Sequence, residues 1–107
     1  MRHATSIFAT VMFFLGNIVA LAADKIIEQK GKVFSETEVA IKKGDALTFV
    51  NNDNITHNVM SKTPGNEFNI GAQTPGTSVP VKFDSAGAVN IICAIHPQMR
   101  MNVTITN

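Results

Sequence analysis

The chain has 107 residues, a formal net charge of +1 and a 45% hydrophobic composition, with seven Phe, no Trp and no Tyr. This length accommodates one domain, and the composition excludes a disordered, collagen-like or repetitive protein. Long basic runs are absent from the sequence, which argues against nucleic acid as a partner.

Residues 1–22 have the layout of a secretory signal peptide. A short basic start is followed by a mostly apolar stretch at residues 7–15 and by small residues up to Ala22. A retained membrane anchor is the alternative, but the apolar stretch is shorter than the roughly 20 residues of a spanning helix. We therefore predict cleavage after Ala22 and export to the periplasm. Residues 23–107 would then form one domain that is free of the membrane and carries eight basic and eight acidic residues.

The hydrophobic periodicity after the signal is mostly two, which is typical of β-strands. The sequence predicts two strands joined by a tight turn at residues 43–45, and further strands at residues 79–83, 88–95 and 101–106. One or two short strands precede these, and a Pro- and Gly-containing irregular connection covers residues 61–78. The predicted fold is an all-β, Greek-key antiparallel sandwich or barrel of about seven to eight strands.

Cys93 is the only cysteine of the chain. A single thiol cannot form an internal disulfide, so in an exported protein it is buried and inert, paired with another chain, or used as a ligand. The segment Cys93-Ala94-Ile95-His96-Pro97-Gln98-Met99 places a thiolate, an imidazole and a thioether within seven residues. After the signal, the second imidazole can come only from His57.

Taken singly, each of these residues is more often structural, because Cys and Met commonly pack in cores and a lone His is commonly hydrogen-bonded. Taken together, two imidazoles, one thiolate and a weak axial thioether are the donors of a blue-copper site. The sequence therefore predicts one copper ion that cycles between Cu(I) and Cu(II). Its predicted ligands are His57, Cys93, His96 and Met99.

The pattern Cys93-x-x-His96-Pro97-x-Met99-Arg100, with His57-Asn58-Val59 upstream, resembles the cupredoxin (blue-copper) family. Within that family it is most similar to amicyanins, followed by plastocyanins and pseudoazurins. The resemblance covers most of residues 39–105. It implies an eight-stranded Greek-key sandwich in which His96 is the more exposed imidazole and Met99 is the axial ligand.

The resemblance also implies supporting roles for two asparagines. Asn51 matches a residue that braces the ligand loop, and Asn58 matches a residue whose backbone N–H points at the thiolate sulfur. Met101 has the spacing of the axial ligand in plastocyanin-like loops and is the alternative to Met99. The family pattern of apolar residues after the axial Met instead places Met101 in the core.

The function implied is electron transfer through a type 1 copper site by a monomer that is not an enzyme. The implied partners are periplasmic redox proteins, with a methylamine dehydrogenase-type donor and a c-type cytochrome acceptor. The electron is expected to leave through His96, inside an apolar patch with Pro97 and Ile55.

Two other functions stay open at this stage. The first is a periplasmic copper chaperone or storage protein, which the absence of a Met cluster after the signal disfavours. The second is a metal-free adhesion or structural sandwich. A visible absorption spectrum would separate the carrier from the chaperone, and a copper titration would test the structural alternative.

Overall fold

The computed structural model describes residues 23–107, so the predicted signal peptide lies outside the described residues. This part of the chain forms strands and no helices, and accordingly contains no helix long and apolar enough to cross a membrane. Its nine strands are β1 Asp24–Lys30, β2 Val33–Phe34, β3 Glu38–Lys42, β4 Ala46–Asn51, β5 Met60–Ser61, β6 Phe68–Asn69, β7 Ser78–Lys82, β8 Gly87–Ile92 and β9 Arg100–Thr106. The number exceeds the expected one because β2, β5 and β6 have only two residues each.

The strands form two sheets that enclose the core. The four-stranded sheet has the order β2-β1-β4-β7, and the five-stranded sheet has the order β3-β9-β8-β5-β6. Among the described strands, β1 with β4 and β3 with β9 pair in parallel, and the other neighbours are antiparallel. The predicted all-β sandwich is confirmed, with two parallel pairings that the alternating pattern did not reveal.

Alternate residues of the strands form the core, as the period of two predicts. In β9, Met101, Val103 and Ile105 are buried and the residues between them are exposed. Met101 lies opposite the buried Ile91 of β8, so it occupies the core position predicted for it. The apolar run in β8 alternates too, because Asn90 is exposed between two buried residues.

The turn at residues 43–45 joins β3 to β4, as predicted, but the two strands lie in different sheets. Gly44 has a φ of 93°, a left-handed conformation that glycine adopts without a steric penalty. The Asp45 carboxylate accepts hydrogen bonds from the backbone N–H groups of Lys42 and Ala23, which lower its pKa. The turn therefore connects the two layers of the sandwich instead of closing a hairpin.

The segment at residues 61–78 is largely irregular, as predicted, and two contacts hold it against the sandwich. Phe68 in β6 packs edge to face against Phe83, with ring centroids 5.8 Å apart. Gln73 forms an isolated antiparallel bridge with His57. The second contact ties this segment to the loop that follows β4.

Two loops and one turn lie at the same end of the sandwich. Register places Asn51, the last residue of β4, beside Gln29 near the end of β1. In the other sheet, Ile92 at the end of β8 pairs with Arg100 at the start of β9. The β1–β2 turn and the loops at residues 52–59 and 93–99 therefore share this end.

Candidate metal centre

Three of the predicted ligands come together at this end of the sandwich. His57 lies in the loop after β4, Cys93 directly follows β8, and His96 lies in the loop before β9. Their ligand atoms all lie within 4.8 Å of one another. Nδ1 of His57 lies 3.2 Å from Nδ1 of His96, and that second nitrogen lies 3.9 Å from the sulfur of Cys93. These spacings allow one metal ion to bind all three atoms.

The three side chains differ in exposure. His57 and Cys93 are both 0% exposed, whereas His96 is partly exposed. The imidazole rings meet at 72° with their centroids 5.1 Å apart. His96 is therefore the more exposed imidazole, as the resemblance implies.

Asn58 joins the two loops that carry the ligands. Its backbone N–H donates to Sγ of Cys93 over 3.3 Å, which confirms the contact expected from the resemblance. Its side-chain oxygen also accepts from the backbone N–H of Ala94 at 3.1 Å, a contact that the sequence did not predict. The Asn58 amide nitrogen donates to Asn69 and Gly71, so both ends of the side chain are fixed.

The loop at residues 93–99 is closed by its own backbone. The N–H of Cys93 donates to the carbonyl of Met99 over 3.2 Å, and the N–H of Met99 donates to the carbonyl of His96 over 2.9 Å. Met99 is 1% exposed. The short loop therefore holds the backbones of Cys93, His96 and Met99 in one arrangement.

His57 is held through both its backbone and its ring. Its backbone N–H and carbonyl pair with Gln73 at 3.0 and 2.7 Å. Its Nε2 lies 2.8 Å from Oδ2 of Asp53, a residue that the sequence analysis did not single out. Hydrogen bonds from the Lys32 backbone and from the His57 ring lower the pKa of Asp53 to about 2. Since an ionised carboxylate only accepts hydrogen bonds, the neutral His57 ring carries its proton on Nε2 and keeps the lone pair on Nδ1.

Two buried glutamines support the bridge to His57. Gln73 is 2% exposed and its amide nitrogen donates to the carbonyls of Phe49 and Thr77 at 2.8 and 3.0 Å. Gln29, which is 0% exposed, donates to the side-chain oxygen of Gln73 over 2.7 Å. These buried hydrogen bonds connect Gln73, the partner of His57, to β4 through Phe49 and to β1 through Gln29.

Asn51 braces the His57 loop. Its amide nitrogen donates to the carbonyls of Ile55 and Gln73 at 2.9 and 2.8 Å, and its oxygen accepts from the Asp53 N–H at 3.0 Å. The resemblance implied that Asn51 braces the ligand loop, but its three side-chain hydrogen bonds run instead to the loop after β4 and to the bridge residue Gln73.

The sequence matches the family model described as "Copper binding proteins, plastocyanin/azurin family" over residues 22–106. The chain belongs to this family.

Three curated relatives are similar to this cupredoxin. Methylamine utilization protein MauL of Methylophilus methylotrophus is 35% identical over 75 residues, which are 67% of this chain and 43% of that protein. Plastocyanin of Scenedesmus fuscus is 32% identical over 83 residues, which are 69% of this chain and 85% of that protein. Amicyanin-alpha of Methylorubrum extorquens is 35% identical over 75 residues, or 67% of this chain and 63% of that protein. The cupredoxin chain thus spans less than two thirds of the MauL and amicyanin-alpha sequences.

Solved structures share the cupredoxin fold. A purple cupredoxin from Nitrosopumilus maritimus has a TM-score of 0.69 at 23% identity, covering 78% of this chain and 100% of that one. A reduced amicyanin variant has a TM-score of 0.71 at 23% identity, covering 81% and 85% of the two chains. At these identities the likeness supports the sandwich fold alone.

The donor set of this cupredoxin fits one copper ion. Two imidazole nitrogens and one thiolate suit a metal that alternates between Cu(I) and Cu(II). Nδ1 of His57 lies 3.2 Å from Nδ1 of His96, which in turn lies 3.9 Å from Sγ of Cys93. Two nitrogen donors and one sulfur donor are therefore close together. The cluster of His57, Cys93 and His96 has the composition and spacing of a type 1 copper site.

Proposed function

We propose that this protein is a type 1 copper electron carrier. The observation that carries the proposal is the convergence of His57, Cys93 and His96, whose ligand atoms lie within 4.8 Å of one another. Met99 is proposed as the axial ligand, because it is buried and its backbone is bonded to both Cys93 and His96. Copper bound there would accept and release a single electron.

The side chains around the site are suited to fast electron exchange because they have little freedom to move. Cys93 and His57 are fully enclosed, and Asn58 holds the sulfur of Cys93 through its backbone N–H. Gln73 pairs with both backbone groups of His57. Ligands that keep their positions in both oxidation states keep the reorganisation energy of electron transfer low. The supporting hydrogen bonds restrict the movement of these ligands.

His96 is the proposed exit for the electron, because it is the partly exposed member of the three-residue cluster. Its neighbour Ile95 is 50% exposed, and Pro97 on the other side is exposed as well. Ile55, which was also predicted to lie in this patch, is half-buried and therefore exposes part of its side chain. A small apolar surface of this kind suits brief redox complexes, which bury little area.

The proposed partners are periplasmic redox proteins. Relatives named amicyanin-alpha and methylamine utilization protein support a methylamine dehydrogenase-type donor. The proposed acceptor, a c-type cytochrome, rests on the family resemblance alone. Residues 1–22 support export as a signal peptide, which leaves a monomeric domain in the periplasm. The proposed role is transport of electrons and not catalysis, since the four proposed protein donors would fill the coordination of the metal.

Copper added to the metal-free protein should bind one to one and produce an intense visible absorption. One electron per protein should bleach the band, and one oxidising equivalent should restore it, because the enclosed donors keep the metal in both states. Spectrophotometric titration with copper, followed by a redox titration, measures both stoichiometries. A colourless Cu(II) complex, or copper that passes at once to a chelator, would favour the chaperone function and contradict the carrier.

The axial assignment can be tested by comparing two methionine variants. Met99→Gln should lower the reduction potential, because an oxygen donor favours Cu(II) over Cu(I). Met101→Leu should leave the potential and the visible spectrum nearly unchanged and cost less than about 1.5 kcal/mol of stability, as volume-conserving core exchanges do. Redox titrations of both variants decide the matter, and the opposite pattern would assign the axial role to Met101.

A further inference from the structure

One oxygen of Asp53 connects the metal-binding ring to a turn on a different part of the sheet. Oδ2 accepts from Nε2–H of His57 at 2.8 Å and from the backbone N–H of Lys32 at 2.9 Å. The backbone N–H of Asp53 in turn donates to Asn51 over 3.0 Å. The side chain is only 13% exposed, and the His57 side chain is 0% exposed. The carboxylate is therefore fixed against the ring.

The β1–β2 turn is shaped to supply the second of these bonds. Gly31 and Lys32 have φ values of 64° and 59°, and Lys32 is the single non-glycine residue with positive φ within residues 23–107. Two consecutive left-handed residues form the tight hairpin turn that matches the twist of paired strands. A left-handed lysine is sterically disfavoured, and in this turn its N–H points at Asp53.

The carboxylate acts on His57 in two ways. As an acceptor it holds the proton on Nε2, which leaves the Nδ1 lone pair directed toward the metal position. As a negative charge one hydrogen bond from a ligand, and largely shielded from water, it stabilises the more highly charged oxidation state of the metal. A neutral acceptor at the same place would perform only the first of these actions.

We propose that Asp53 is a positioning residue that fixes the metal-binding tautomer of His57 and lowers the reduction potential of the site. The β1–β2 turn holds it in place through the Lys32 N–H. The part of the inference that concerns the potential rests on the proposed copper function, whereas the part that concerns the tautomer does not.

The charge effect is tested with Asp53→Asn, which keeps the shape and an acceptor oxygen but removes the charge. The ratio of Cu(II) to Cu(I) affinity should fall about tenfold, at the lower end of the range for supporting residues of metal ligands. For a one-electron couple this corresponds to a rise in potential of about 59 mV. Asp84→Asn is the matched control, because it removes the same charge from a side chain that is 71% exposed beyond β7, at the opposite end of the sandwich. Equal shifts of the reduction potential in the two variants would overturn the inferred effect of the Asp53 charge on the potential.

The hydrogen-bond effect is tested with Asp53→Ala in the metal-free protein. Nitrogen-15 NMR of the His57 ring should show Nε2–H as the dominant neutral form in the wild type and a substantial Nδ1–H population in the variant. The Ile, Leu and Val methyl spectra of the same samples show whether both are folded. An unchanged tautomer in the folded variant would overturn the positioning role. A wild-type protein that binds no copper would refute the proposed function and the effect on the potential, while the NMR result would still decide the tautomer.

Discussion

Replacing Cys93 with alanine should abolish the intense visible absorption of the copper-loaded protein while leaving the sandwich folded. The band depends on electron transfer from a thiolate to Cu(II), and the chain offers a single thiol. Cys93 is 0% exposed and its sulfur accepts the Asn58 N–H, so the substitution leaves this N–H without its partner and should cost about 1–3 kcal/mol. Absorption spectra after copper addition, with circular dichroism for the fold, measure both effects.

Ile91→Val is the control for this change. Ile91 lies two residues earlier, is also 0% exposed and faces the same core. The substitution should cost about 0.5–1.5 kcal/mol, as removal of one buried methylene does, and leave the band at its native intensity. A visible band that survives in Cys93→Ala would contradict the copper assignment, since no other thiolate is available.

Replacing Asn51 with leucine should destabilise the protein by about 3 kcal/mol and weaken copper binding. Leucine has a similar volume but cannot form hydrogen bonds. The Ile55 carbonyl and the Asp53 N–H therefore lose their Asn51 partner, and the Gln73 carbonyl loses one of its hydrogen bonds. Each buried polar group left in this way costs about 1–3 kcal/mol. Ile55 and Asp53 lie in the loop that carries His57, and Gln73 bridges to His57. The same substitution should therefore also make the position of the His57 ring less fixed.

Denaturant unfolding of the metal-free variant measures the loss of stability, and a competitive chelator titration measures the loss of copper affinity. Asn52→Leu is the matched control, because the next side chain is exposed and only its backbone N–H is engaged, with Gln29. That substitution should change stability by less than about 0.5 kcal/mol. Equal stabilities of the two variants would show that the hydrogen bonds of Asn51 carry no net energy.

The residues of the candidate metal centre could be predicted from the sequence because ligand chemistry depends on residue type. Cys93 and His96 are three residues apart, so any loop that joins two strands keeps them close. His57 was identified by elimination, since it is the remaining histidine after residue 22. The ligand atoms lie within 4.8 Å, which confirms that these three residues converge.

The order of the strands could not be predicted in the same way. A period of two tells which residues face the core, but it carries no information about which strand lies alongside. The sequence predicted two strands joined by the turn at 43–45 but not their partners in the sheets. In the structure β3 pairs with β9, and β4 pairs with β1 and β7. The signal peptide at residues 1–22 stays a prediction, since those residues are outside the described part.

Asp53 and the side-chain contact of Asn58 were not predicted, because short polar residues in loops form hydrogen bonds that depend on the loop conformation. Asp53 lies four residues before His57, a spacing that has no fixed meaning outside a helix. The side chain of Asn58 likewise reaches Ala94, 36 residues away in sequence. An acidic residue close to a metal-binding histidine was the one available signal, because such histidines commonly donate their second N–H to a carboxylate.

The interior position of β9 in the five-stranded sheet governs the order in which the sandwich can be completed. It lies between β3 and β8, and its register with β3 joins residues from Glu38↔Asn102 to Lys42↔Thr106. While the ribosome is still making the chain, β3 has no partner on this side, and β8 has only β5. Contacts between segments so distant in sequence slow folding. The five-stranded sheet can therefore close only after its last strand has been synthesised.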